Sequence, residues 1–130
     1  MEQLRVFLVS ASLLLGACGP NVEEPPESPI ALAELFQRIE AGSSPLVLDV
    51  RTAEEYARGH IPGATNLPYD ELPTRLEEIS IEKSAEVIVH CQSGRRAEIA
   101  EGTLRANGYS NVRDLTGHWQ GWQAAGYPTE

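Results

Sequence analysis

Apolar residues along the chain fall into three regimes. Val6 to Ala17 read VFLVSASLLLGA, an unbroken run of a dozen residues. That is too short to cross a hydrocarbon layer of roughly 30 Å, and it lacks the polar face of an amphipathic helix, so it suits the core of a secretory signal peptide. Gly19 to Pro29, GPNVEEPPESP, is dominated by Pro and Glu, a composition that stays extended and solvated. From Ile30 onward short apolar patterns alternate between helical and strand spacing. The chain therefore divides into a signal segment over 1–17, a tether over 18–29 and a folded domain over 30–130.

Within the domain, Leu32, Leu35, Phe36 and Ile39 recur at helical spacing and Gly42 follows as a stop. Leu46 to Val50 is a continuous apolar run with β-branched members, matching a strand covered on both faces. Thr52 with Glu55 three residues on has capping-box spacing and opens a short helix to Arg58, ended by Gly59. His60-Ile61-Pro62-Gly63 is a loop. Leu72, Leu76 and Ile79 predict a helix over Asp70 to Ile79, with Pro73 in its first turn. Glu86 to His90 is a second buried strand. Ala97, Ala100 and Leu104 share one face of a helix that runs to Asn107-Gly108. Asn111 to Leu115 reads as a strand and His118 to Ala125 as a last short helix. Strands alternating with helices predict an α/β fold, a parallel sheet with helices on both faces.

Composition narrows the function. Hydrophobic residues make up 42% and charged residues 22% of 130 residues, a globular balance with room for one domain core. The formal charge is −9, which disfavours a nucleic-acid partner and requires that any bound anion be gathered locally. Arg95 and Arg96 stand together just after Cys91 and supply such a spot. His60, His90 and His118 lack close ligand spacing, so no metal is implied; nor is any cofactor.

Cys18 and Cys91 are the two cysteines, and their settings give them different fates. Leu15-Gly16-Ala17-Cys18 closes the apolar run and resembles a bacterial lipobox, whose Cys receives a diacylglyceryl thioether before the preceding peptide is removed. The resemblance implies that Cys18 is a lipidation site and a membrane anchor. It places the domain in a bacterial cell envelope, facing the periplasm. Gly19, where an Asp would favour the inner membrane, points to the outer one. Met1 to Arg5 carries one acid and one base in place of the usual positive start.

Cys91 stands instead at the end of a buried strand, the place where open α/β sheets put their sites. In Cys91-Gln92-Ser93-Gly94-Arg95-Arg96 the chain turns from strand to helix. Backbone amides can converge there and the helix start adds roughly half a positive charge. Gly94 supplies the backbone freedom for a tight curl, and Ser93 can donate its hydroxyl inward. A free thiol titrates near about 8.5; helix starts and nearby Arg lower that toward about 3.5–7.5. Cys91 is therefore the candidate nucleophile.

Several separated motifs carry a family resemblance over Ile30 to Pro128. They are Asp49-Val50-Arg51 with Glu55-Tyr56, then Gly59-His60-Ile61-Pro62-Gly63-Ala64 and Asn66, then Cys91-x-Ser93-Gly94-x-Arg96, and finally Gly108-Tyr109, Asn111-Val112 and Gly117 with Trp122. Together they are similar to the rhodanese family. The resemblance implies a three-layer rhodanese-like fold and a double-displacement sulfurtransferase. Cys91 takes sulfur from a small anionic donor such as thiosulfate, holds it as a persulfide, and passes it to a thiol or cyanide-like acceptor or to a protein. Gln92, Ser93, Gly94, Arg95 and Arg96 are implied as the substrate-binding loop, Arg95 being the freer cation. Asp49, Arg51, Glu55 and His60 read as structural support: Arg51 can pair with Glu55 near the loop and His60 can fix the turn before Pro62.

Two positions depart from the family pattern. His118 stands where a second Gly is common after Gly117, and His90 where an aromatic frequently precedes the Cys. Among rivals are Cys-dependent phosphatases and arsenate reductases, whose loops also run from a Cys to an Arg at a helix start; the phosphatases related to this fold hold one residue more than the four between Cys91 and Arg96, enough to widen the ring for phosphate. A persulfide relay or a redox-sensing module with little small-molecule turnover is the alternative of a different class.

Overall fold

A computed structural model describes residues 29–130; the signal segment, Cys18 and the tether up to residue 28 lie outside the described residues. Four parallel strands form the sheet, in the order β2-β1-β3-β4. They are β1 (Leu46–Asp49), β2 (Thr65–Asn66), β3 (Val87–His90) and β4 (Val112–Asp114). The central pair runs in register from Leu46 opposite Val87 to Asp49 opposite His90. Ile30 adds an isolated parallel bridge to Leu115 beyond β4.

Because side chains alternate along a strand, the two central strands feed two separate apolar layers. Leu48, Val50, Val87 and Val89 meet Leu67, Leu72, Ala97, Ala100 and Leu104 on one side. Val47 and Ile88 meet Ile30, Leu35, Ile61, Leu115, Trp119 and Trp122 on the other. Helix α3 (Arg95–Ala106) thus packs on the first face. Helices α1 (Leu32–Glu40) and α4 (His118–Ala124) pack on the second. This is a rhodanese-like three-layer arrangement. Every strand of the inner pair is covered twice, which is why its residues read as continuous apolar runs.

The predicted capping box forms at α2 (Ala53–Ala57): the Thr52 hydroxyl accepts the Glu55 amide at 3.1 Å, and the Glu55 carboxylate accepts the Thr52 amide at 3.2 Å. The helix expected over Asp70 to Ile79 does not form. It is replaced by two 3₁₀ turns, Leu72–Thr74 and Leu76–Glu78. Pro73 has no amide to donate back into a longer helix. Arg75, at φ −126 and ψ 19, leaves helical geometry between the two turns. The short strand β2 had no periodicity to reveal it. Its residues pair with Leu48 and Asp49, and the Asn66 amide donates to the Asp49 and Arg51 carbonyls at 2.9 and 3.0 Å.

Candidate active site

Cys91 follows directly on β3, and its side chain is 1% exposed. The chain then turns through Gln92 and Ser93 to Gly94, whose φ of 134 only glycine adopts freely, and α3 begins. This curl returns backbone amides to the sulfur: the Gly94 amide donates to Cys91 Sγ at 3.0 Å. Burial on its own would push the thiol up. It is outweighed by a hydrogen bond with the His118 side chain and by the amides of Ala97, Gly94 and Ser93, so the thiol is brought down to about 7. At neutral pH a substantial share of Cys91 is therefore thiolate.

Each sequence-predicted residue has a definite place around this curl. Ser93 is exposed, and its backbone amide, not the hydroxyl expected to point inward, favours the ionised sulfur. The carbonyl of Gln92 accepts the Gln120 amide at 3.2 Å. Gln92 also lines a cleft of about 270 Å³ together with Arg51, Arg58, Gly59, Trp119 and Gln123. A cavity of similar size at the β1 and β2 edge shares no residue with it. Arg95 is exposed and makes no ion pair among the described residues. Arg96 is engaged: its guanidinium donates to both Glu55 carboxylate oxygens at 2.6 and 3.0 Å. That bidentate contact with Arg96 holds the Glu55 carboxyl down at about 2, against the burial that would raise it.

The pairing of Arg51 with Glu55 expected from sequence is therefore corrected. Arg51 turns inward to Asp49, with Nε to Oδ1 at 2.9 Å and a terminal nitrogen to Oδ2 at 2.6 Å. It also donates to the Gly59 carbonyl at 2.8 Å and lies 4.6 Å over the Trp119 ring. Two separate ion pairs thus replace one. Asp49–Arg51 is fully buried and locks the end of β1 to the loop after α2; Arg96–Glu55 ties α3 to α2 across the site. Spacing in sequence could not distinguish these, because Arg51 lies within reach of either acid. His60, expected to fix the turn before Pro62, reaches back to α2: its Nδ1–H donates to the Tyr56 carbonyl at 2.9 Å, and its ring stacks 3.7 Å from Tyr56.

Sequence reasoning assigned no role to three residues that the structure links together behind the sulfur, of which His118 is the one that touches Cys91. His118 places Nδ1 3.2 Å from the Cys91 amide, which it accepts, and Nε2 3.2 Å from an Asp114 carboxylate oxygen. Burial disfavours a charged ring, but Asp114 and the Cys91 sulfur outweigh it and raise His118 to about 9. Glu101, buried on α3, is pushed up to about 7 by burial and then by the charge and hydrogen bond of Asp114. The only sequence signal for this group was His118 standing in a glycine position.

The rhodanese-like domain model matches residues 31–125. The thiosulfate:glutathione sulfurtransferase of Homo sapiens is 33% identical over 105 residues, covering 72% of this chain and 90% of that protein. YrkF of Bacillus subtilis is 33% identical over 102 residues, 78% of this chain but 53% of its own length, so this chain spans about half of it. Among solved structures, the crystal structure of the Alr3790 protein from Anabaena superposes with a TM-score of 0.70 at 34% identity, over 78% of this chain and 90% of that one.

Proposed function

The chain belongs to the rhodanese-like domain family, and from that premise we propose that it is a sulfurtransferase that carries sulfane sulfur on Cys91. The observation that carries this reading is the curl of amides on a buried thiol held at about 7. Such a site supplies an ionised sulfur and, once loaded, hydrogen-bond donors for the terminal persulfide sulfur. In the loading step the Cys91 thiolate attacks the outer sulfur of a thiosulfate-like donor. The donor S–S bond breaks, sulfite leaves with its electron pair, and Cys91 holds –S–S⁻. A nucleophilic acceptor then attacks the outer sulfur and returns the thiolate. Little proton movement accompanies either displacement when both nucleophiles arrive ionised.

Donor recognition falls to Arg95, because Arg96 is occupied by Glu55. Arg58 and Gln123, on the neighbouring cleft with Gln92, add polar groups that no motif suggested. The similarity to the human thiosulfate:glutathione sulfurtransferase supports thiosulfate as donor and a small thiol as acceptor.

The test uses the full-length Cys18→Ser chain, so that Cys91 is the single thiol, with thiosulfate as donor and cyanide as acceptor. The expected results are a mass gain of one sulfur atom on the protein and release of thiocyanate, with Cys91→Ser abolishing both. Absence of a persulfide on the Cys91 protein overturns the reading. A persulfide that accumulates without thiocyanate release moves it to a relay that serves a protein acceptor.

The domain is also proposed to work on a lipid anchor. The apolar run and Leu15-Gly16-Ala17-Cys18 support attachment at Cys18, at the periplasmic face of a bacterial envelope membrane, the outer one on the strength of Gly19. Metabolic labelling with a fatty acid is expected to mark the wild-type chain and to vanish in Cys18→Ser; labelling that persists in the variant removes the anchor.

A further inference from the structure

The displacement chemistry above leaves one chain of titratable groups unused: the buried His118 and Glu101, with the half-buried Asp114 between them. His118 is held at φ 53, alone among the described non-glycine residues in having a positive φ. The left-handed conformation is strained for a residue that bears a side chain, and strain of this kind gathers where a side chain has work to perform. The ring is 6% exposed. Its Nδ1 accepts the Cys91 amide at 3.2 Å and its Nε2 lies 3.2 Å from Asp114. It packs so closely on the active loop that a Cβ at Gly94 would stand 3.2 Å from Nε2. The titratable and charged groups around it are Asp114 from β4, His90 at the end of β3 and Cys91 just after it, and Glu101 from α3, with Arg105 beside Glu101.

We propose, resting on the assignment of Cys91 as the sulfur-transfer nucleophile, that His118 is a positioning residue that pairs as an imidazolium with the Cys91 thiolate, backed by Asp114 and Glu101. When Cys91 ionises its S–H bond breaks, the electron pair stays on sulfur and the proton leaves to solvent, while the ring keeps both of its protons. One of them, on Nε2, faces Asp114; the other, on Nδ1, takes the place of the amide bond that a neutral ring accepts, which couples the charge of the ring to the backbone of Cys91 itself. Asp114 balances the imidazolium. Glu101 keeps a proton between the two carboxyl groups so that both need not be charged. The amide curl and the imidazole are thus two independent supports for one thiolate.

The experiment measures ionisation directly, without a sulfur donor. In the full-length Cys18→Ser background, the rate of Cys91 alkylation by iodoacetamide is followed against pH. With His118 in place the midpoint is expected near about 7. His118→Gly suits the left-handed backbone and is expected to unfold thermally no earlier than its parent. Its midpoint is expected to rise by at least about one pH unit, which slows alkylation about tenfold at pH below the midpoint. Asp114→Asn is expected to shift the profile in the same direction by less. A His118→Gly profile that overlays the parent overturns the proposal, as does an unmoved Asp114→Asn profile. Persulfide formation from thiosulfate, assayed separately, reports on the sulfurtransferase reading. A protein that loads sulfur with an unmoved alkylation profile in His118→Gly would refute this inference alone.

Discussion

Two buried histidines flank the nucleophile and are driven in opposite directions. His90, which precedes Cys91 on β3, is 0% exposed; His118, which opens α4, is 6% exposed. Burial pushes His90 down to about 4, overcoming the charge of Asp49 and the Cys91 carbonyl that its Nδ1–H reaches at 3.2 Å. Burial acts on His118 too, yet Asp114 and the Cys91 sulfur carry it up to about 9. The carboxylate explains the difference. Asp114 sits 3.2 Å from the His118 ring, whereas Asp49 is 3.8 Å from His90 Nε2 and is already held by Arg51. Among the described residues His90 Nε2 has no hydrogen-bond partner. Desolvation sets the scale of both shifts, and a committed acid decides their sign.

The strongest way to break this contrast is to release Asp49. In Arg51→Ala the Asp49 carboxylate, 0% exposed, loses its bidentate partner. Breaking a buried pair from one side costs about 3–5 kcal/mol. Urea unfolding of the variant is expected to show a loss of that order. His90 is the nearest base left to Asp49, so its NMR titration is expected to move up toward that of His118. A loss below about 1 kcal/mol, with His90 unmoved, would show that partner availability is not what separates the two rings.

The same contrast explains what could be read from the sequence. Continuous apolar runs at Leu46–Val50 and Glu86–His90 mark strands covered twice, and Thr52 with Glu55 marks a cap, because these are local signals with a fixed spacing. Cys91 was legible for a similar reason: a strand end, a glycine turn and two arginines lie within six residues. Helical spacing over Asp70 to Ile79 misled because Pro73 and the geometry at Arg75 outweigh periodicity. The choice of Asp49 over Glu55 by Arg51, and of Glu55 by Arg96, depends on where β1 and α3 bring their ends together. The link from Glu101 through Asp114 to His118 joins α3, β4 and α4, and no sequence window contains the reason for it. His118 stood out only as a side chain where glycine was expected, and its φ of 53 shows that the backbone keeps the glycine conformation.

The finest test of the contrast leaves the site in place and removes only the histidine without an acid partner. His90 titrates near 6.5 when unfolded and at about 4 when folded. Between those values the unfolded chain binds a proton that the folded chain refuses, so this contribution to stability is complete above pH 6.5 and is lost as pH falls toward about 4. His90→Phe is expected to remove that slope. At neutral pH its effect on stability is expected to stay below about 1 kcal/mol, because an unpaired buried nitrogen is lost and the Cys91 carbonyl still accepts the Trp119 amide at 3.0 Å. Acid loss from Glu55 remains, but in a lower window, as pH falls from 4.5 toward about 2 and the carboxylate that Arg96 holds is protonated. Denaturant midpoints measured across this range separate the two. A His90→Phe chain that loses stability between pH 6.5 and 4 as steeply as its parent would mean that His90 is charged in the fold after all, and that burial without a committed acid does not keep it neutral.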